Sequence, residues 1–417
     1  MATKTIADIT VTGQRVFMRV DFNCPIADGV VTNDRRIEMA LPSIQRVLDQ
    51  GGKLVLASHL GRPKGKGFEA EFSLKPVADR LAELLGKPVT LGPADVVGAD
   101  AEAAVAAMAD GDVLLLENMR FNAGETMPDK AKKNDDGKLT AEQDAIHDAF
   151  IAGLAKLADV YVNDAFGTCH RKHSSMYGVA KAIKAAGGPA VAGFLVEKEI
   201  RYLHEAVATP KRPFVAIMGG AKVSDKIKLI SSLLDKVDTL IIGGGMAYTL
   251  LKALGHTVGT SLLEEDQVDT MKAILDKDGD KILLPVDFKC AEEFMSDAAI
   301  PNDSRDIPDN LMGLDCGPKT IVSFCDVIRN AGTLVWNGPV GVFEREAYAA
   351  GTRAVAEAVA EATDNGAVSV IGGGDSAAAV EQFGLDERMT HVSTGGGASL
   401  TYLEGKPMPP IDVLDQA

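Results

Sequence analysis

The chain has 417 residues, 46% hydrophobic and 24% charged, which is enough apolar material for two cored domains of a globular protein. Its formal net charge of −16, from 43 basic and 59 acidic side chains, argues against a general binder of nucleic acid or of anionic membranes. No run approaches the ~20 apolar residues of a membrane span, MATKTIADIT lacks the apolar centre of a signal peptide, and Cys24, Cys169, Cys290, Cys316 and Cys325 form no CxxC pair, which fits reduced thiols in the cytoplasm.

Taken in order, the first half shows apolar runs that each end in charge. Arg15–Val20 reads as a strand and leads into Asp21, Phe22 and Asn23. Residues 32–48 start polar, with Arg35 and Arg36, and turn helical. KLVLAS (53–58) ends in His59, Leu60, Gly61 and Arg62, and continues as the loop PKGKG. DVLLLE (112–117) ends in Asn118, Met119 and Arg120, and ADVYVND (158–164) runs into AFGTCHRKHSS, with His170, Arg171 and His173. One arginine at a strand end is ordinary solvated surface. Four such ends in succession, on parallel strands, would gather on one edge as a site for a small, highly charged anion. TMPDKAKKNDDGKLT, between Glu125 and Thr140, reads as a solvated surface loop without assigned function, and Ala190–Ala208 reads as a helix bridging two domains.

In the second half, apolar runs end in glycine. FVAIMGGAK (214–222), TLIIGGGMA (239–247), TLVWNGPVG (333–341), SVIGGGDSAAAV (369–380) and HVSTGGGAS (391–399) each read as a strand and a turn, with helical stretches between most of them. The alternation implies a parallel, doubly wound sheet with ligands beyond the carboxyl ends of its strands. Glycine turns before helix starts suit phosphate. Asp375 either caps the helix that follows or holds a divalent cation between itself and phosphate. Lys222 and Lys226, four apart at a helix start, share a face and either hold an anion or are solvated. GxxxxGK[ST], GxGxxG and the HRD/DFG set are absent, which excludes a P-loop enzyme and a protein kinase and weakens a dinucleotide oxidoreductase. Phosphoryl transfer between anions held on two domains remains.

RVDFN (19–23), SHLGRP (58–63), DAFGT-HR-HSS (164–175), GGAKVSDK (219–226), WNGPVGVFE (336–344), GGGDS (372–376) and STGGGASL (393–400) together resemble phosphoglycerate kinase, in order from about residue 5 to the C-terminus. Cys24, where the family usually has an aliphatic residue, and a long 125–140 loop are departures from the pattern. The resemblance implies two doubly wound, Rossmann-like α/β domains facing each other across a hinged cleft. Residues 1–185 would be the triose-substrate domain, with 404–417 packing back on it. Residues 186–208 would be the interdomain helix and 209–403 the nucleotide domain.

It further implies that 3-phosphoglycerate or 1,3-bisphosphoglycerate is held by Asp21, Phe22, Asn23, Arg36, His59, Leu60, Gly61, Arg62, Arg120, His170 and Arg171. MgATP or MgADP would be held by Gly219, Gly220, Lys222, Lys226, Gly243, Gly244, Leu314, Asn337, Pro339, Val342, Glu344, Gly373, Gly374, Asp375 and Ser376. Asp375 would bind magnesium, and Arg36, Lys222, Lys226, Gly374 and Gly397 would act in catalysis. A monomer is the family expectation. The rivals are another two-domain α/β transferase or synthetase, and a catalytically inactive family member serving as a binding partner. The first would lack the arginine cluster after RVDFN and SHLGRP, and the second would have lost Arg36, Lys222 or Asp375.

Overall fold

The computed structural model describes residues 3–134 and 136–417, which form two compact units, Met1–Ile200 with Pro407–Ala417 and Arg201–Lys406. In the first, β1 (Arg15–Val20), β2 (Lys53–Ala57), β3 (Thr90–Leu91), β4 (Val113–Leu115), β5 (Val160–Asp164) and β6 (Ala190–Ala192) form a parallel sheet in the order β3-β4-β2-β1-β5-β6. Val16, Met18 and Val20 pack into one core with Ile37, Ile44 and Val47, while Phe17 stacks on Tyr161 with ring centroids 6.0 Å apart. Both faces of β1 are therefore buried from Val16 to Val20, so the strand shows no alternation of apolar and polar residues, and Arg19 near its end is buried with the rest. The strand order reverses beside β1, which opens a crevice at the carboxyl ends of β1 and β5.

The second unit repeats the plan. β7 (Phe214–Met218), β8 (Thr239–Ile242), β9 (Ile282–Leu283), β10 (Thr333–Asn337), β11 (Val368–Gly372) and β12 (His391–Val392) run parallel in the order β9-β8-β7-β10-β11-β12. The reversal lies between β7 and β10, and all five glycine turns follow strands of this sheet. A three-stranded antiparallel sheet of Ile300–Asn302, Phe288–Ala291 and Met312–Cys316 is added to it. The sequence pattern did not anticipate that addition.

Two expectations are corrected. The stretch from Ala190 is not helical throughout. Ala190–Ala192 is the edge strand paired with β5, and the helix is Phe194–Ala208. It begins there because the buried Asp164 carboxylate accepts from Leu195 N at 2.9 Å and Val196 N at 3.3 Å, supplying partners to helix-start amides. Residues 125–140 are also not a plain solvated loop. Glu125 is fully buried, Met127–Ala131 is a short helix, and Thr140 opens helix Ala141–Ala155 with a reciprocal bond pair to Gln143. At the other end of the chain, Lys4 N donates to Asp415 O at 2.8 Å and Asn163 Nδ2 to Pro410 O at 3.1 Å, so the last residues close on the first unit.

Candidate active site

At the β1/β5 crevice the first unit concentrates arginine. Arg19, fully buried at the end of β1, donates from Nε to Ser175 Oγ at 2.9 Å and meets His59 Nδ1 at 3.2 Å. Arginine can only donate, so His59 Nδ1 accepts and the imidazole proton sits on Nε2. Burial, with Arg19 and Arg120 nearby, pushes the His59 pKa well below its ordinary value despite the opposing pull of Asp21. Arg36, just after the start of its helix, pairs with Asp21 Oδ2. Burial alone would raise the Asp21 carboxyl, but Arg36, His59 and Arg19 hold it below the usual range. Asn23 Oδ1 accepts from Gly61 N at 2.8 Å, and Arg120 Nη1 donates to Gly61 O at 2.7 Å, which ties together the turns after β1, β2 and β4. Burial lowers Arg120 to about 10, still charged at neutral pH, and its Nε has no hydrogen-bond partner among the described residues.

After β5, Arg171 Nε donates to His170 Nε2 at 3.0 Å, and burial with the adjacent arginine lowers His170 to about 4. His59 and His170 are therefore neutral at pH 7, and the positive charge of the edge belongs to its arginines. Phe22 and Leu60 are buried beneath the cluster, and Arg62 is exposed. Two contributors went unread in the sequence. Glu125 accepts from Ser175 N at 2.9 Å and Ser175 Oγ at 2.7 Å, and Asp129 accepts from Arg171 Nη1 at 3.3 Å and meets His173 Nε2 at 2.9 Å. Both stand in the charged segment that reads as a loop, where nothing local marks them.

In the second unit the site is lined by glycine turns and apolar side chains. A recess of about 540 Å³ is lined by Gly220, Gly244, Leu314, Pro339, Val342 and Glu344, with Asp375 at one end. Tyr248 and Phe294 also line it and carried no signal in the sequence. An adjacent hollow of about 230 Å³ is lined by Lys226, Asn337, Gly373, Gly374, Ser376 and Gly397, and again by Asp375. Gly219 and Gly243 lie outside both linings, in the packing behind them. At the reversal point the chains of β7 and β10 touch: Gly219 N donates to Asn337 O at 3.0 Å and Gly220 N to Pro339 O at 2.9 Å. A Cβ at Gly219 would stand 2.0 Å from Pro339 O, so only glycine fits.

Lys222 and Lys226 do not share a helical face. The helix starts at Ile227, and Glu264 holds the preceding turn by accepting from Val223 N at 2.6 Å and Ser224 N at 3.0 Å. Lys222 is exposed, whereas Lys226 folds back to donate to Gly219 O at 2.6 Å and Asn337 O at 3.0 Å. Burial lowers Lys226 to about 8, against the pull of Asp375 and Asp225. Asp375 is not the helix cap. Gly373, at φ +89°, precedes helix Gly374–Gln382, while Asp375 sits exposed in its first turn. Ser376 Oγ accepts from Gly338 N at 2.6 Å, and the buried Asn337 Nδ2 has no partner among the described residues.

The glycines should separate by this geometry. Gly219→Ala should lower the thermal midpoint sharply or prevent folding, because a main-chain contact must part. Gly374→Ala, whose Cβ would meet nothing within 4 Å, should melt close to the parent. Equal melting of the two variants would refute the tight reversal point.

The phosphoglycerate kinase family model matches residues 6–406. Phosphoglycerate kinases of Lactobacillus acidophilus and Chloroherpeton thalassium are each 52% identical to the chain, with alignments covering 99% of this chain and 98% of the former, and 100% of both chains for the latter. The solved phosphoglycerate kinase of Coxiella burnetii superposes with a TM-score of 0.83 at 40% identity, over 99% of this chain and 98% of that one. With both sheets, both anion-suited edges and these relatives in agreement, the chain belongs to the phosphoglycerate kinase family.

Proposed function

We propose that the two strand edges are the two substrate sites of a single phosphoryl transfer, the reversible exchange between 1,3-bisphosphoglycerate with ADP and 3-phosphoglycerate with ATP. The observation that carries this reading is the division of labour between the units: clustered arginines in one, a recess of nucleotide size lined by glycine turns and apolar side chains in the other. On the first, Arg36, Arg62, Arg120 and Arg171 hold the acid's carboxylate and phosphate. Asp21, Asn23, His59 and His170 fix the orientation of those groups and of the acid. On the second, Leu314 and Val342 flank the base, Glu344 meets the ribose, and Lys226, Asn337 and Ser376 receive the phosphates. Lys222, exposed and uncommitted to the strand carbonyls, reaches the phosphoryl in transit.

The donors fit a magnesium ion held mainly by its ligand. Asp375 offers an exposed carboxylate at the boundary of recess and hollow, and among the described residues no group of three or more carboxylate, histidine or cysteine side chains is arranged to hold a metal ion. Such a metal takes one carboxylate and completes its shell with nucleotide oxygens and water. When bound, it neutralises phosphate charge.

In the ATP-consuming direction the attacking group is a carboxylate, ionised at neutral pH, so the chain needs no general base. Its work is alignment and charge neutralisation by Arg36, Lys222, Lys226 and the amides at Gly374 and Gly397. Transfer between ligands held on separate units requires the two edges to meet, and hinge bending about Phe194–Ala208 is part of the proposal, as are a monomeric state and a cytoplasmic location.

ATP-dependent phosphorylation of 3-phosphoglycerate should require magnesium and fall about 10²–10³-fold in Arg36→Ala and in Asp375→Ala. Rates within a few-fold of the parent in either folded variant would contradict the assignment. Lys226 adds a pH test. Burial places its free-protein pKa at about 8, so the charge that meets phosphate is present below pH 8 and lost above it. ADP affinity should therefore fall from pH 7.5 to 9.5, roughly spanning that pKa, and Lys226→Gln should bind weakly without that dependence. An unchanged pH profile in Lys226→Gln would rule the lysine out as the titrating group.

A further inference from the structure

The antiparallel sheet beside the recess raises a question of mechanics. Its strands Phe288–Ala291 and Ile300–Asn302 are joined by an eight-residue connection, 292–299, with Phe294 half exposed and Met295 75% exposed. Phe294 lines the recess on this side, and Val342 and Glu344 line it from the loop that leaves β10. Two apolar side chains on a loop tip would ordinarily collapse onto the nearest apolar surface, which here is the recess itself.

Arg345 opposes that collapse. Its side chain is 15% exposed, and its guanidinium donates to Phe294 O and, at 2.7 Å, to Met295 O, while pairing with Asp297. It also lies 5.4 Å from the ring centroid of Tyr348, whose hydroxyl donates to Ser296 O at 2.7 Å. The loop tip is thus held at three consecutive carbonyls, Phe294, Met295 and Ser296, by two side chains of the segment that follows Glu344. Backbone bonds from Arg345 N to Val342 O at 3.2 Å and from Tyr348 N to Arg345 O at 2.9 Å fix that segment in turn. A planar fork that reaches two carbonyls and a carboxylate at once is something lysine cannot reproduce.

We propose that Arg345 is a positioning residue for the nucleoside end of the nucleotide. It ties the Phe294 wall of the recess to the Val342–Glu344 wall and sets the gap between them. The proposal rests on reading the recess as the nucleotide site. It distinguishes two ends of the ligand, because the phosphate hollow at Lys226, Gly374 and Ser376 has no wall on this loop. Loosening the tie should weaken recognition of a base and ribose while leaving recognition of a bare phosphate chain as it was.

The test compares ADP with inorganic tripolyphosphate, which has phosphates only, by calorimetric titration and competition. Arg345→Met should weaken ADP binding about tenfold, on the scale of lost charged hydrogen bonds only partly transmitted to the ligand, with tripolyphosphate affinity unchanged. Arg345→Lys should fall between, and also serves if the methionine variant does not fold. If Arg345 acts through Phe294, then Phe294→Ala should weaken ADP similarly, and the double variant should be no weaker than the worse single one. Equal loss of ADP and tripolyphosphate, or full additivity of the two substitutions, would overturn the proposal in favour of general destabilisation. ADP binding at parental strength in both Arg345 variants would also overturn it. Parent protein in which tripolyphosphate fails to displace ADP would instead overturn the nucleotide reading beneath it.

Discussion

Parallel pairing is the constraint on which everything else depends. When neighbouring strands run the same way, every carboxyl end lies on one edge, and where the strand order reverses the following turns diverge and leave a crevice. Both units have that reversal, beside β1 in one and beside β7 in the other. What each unit does then follows from which residues occupy the strand ends. The first places side chains there, and the second places glycine.

The two solutions carry different costs. Buried arginines repel one another and lose hydration, which is why Asp21, Glu125 and Asp129 stand among them. Asp129 is held well below the usual carboxylate range by its bond to His173, so it stays ionised and keeps Arg171 paired. The linings of the second unit's recess and hollow hold three charged side chains, Lys226, Glu344 and Asp375. Lys226 is committed to the carbonyls of Gly219 and Asn337, and burial lowers it to about 8. A short, highly charged acid suits the first arrangement. A long ligand with an apolar end suits the second, where glycine turns precede helix starts and apolar side chains line the rest.

Much of this was legible because parallel strands and their ends have strong local signatures. The runs 16–18 and 214–218 are continuous and apolar, and the switch to arginine or glycine marks where they end. Elements of two residues, such as Thr90–Leu91 and Ile282–Leu283, are too short to show any period, and they are strands only because a neighbour pairs with them. The placing of Lys222 and Lys226 on one helical face failed because Glu264, some forty residues away in sequence, decides where the helix begins. Asp375 has the residue type of a cap, but Gly373 provides the backbone geometry and leaves the carboxylate exposed. Glu125 and Asp129 were hidden for the same reason: their roles depend on Ser175, Arg171 and His173, which only the fold brings near. The segment motifs reached the family without any of these contacts.

The central claim is that each unit holds one substrate independently by its own edge. Calorimetric titration of both ligands against one variant from each edge tests it most directly. The account predicts that Arg36→Ala loses 3-phosphoglycerate binding and keeps MgADP at parental affinity, while Asp375→Ala weakens MgADP and keeps 3-phosphoglycerate. Loss of both ligands in either correctly folded variant, or loss of the opposite ligand, would contradict it.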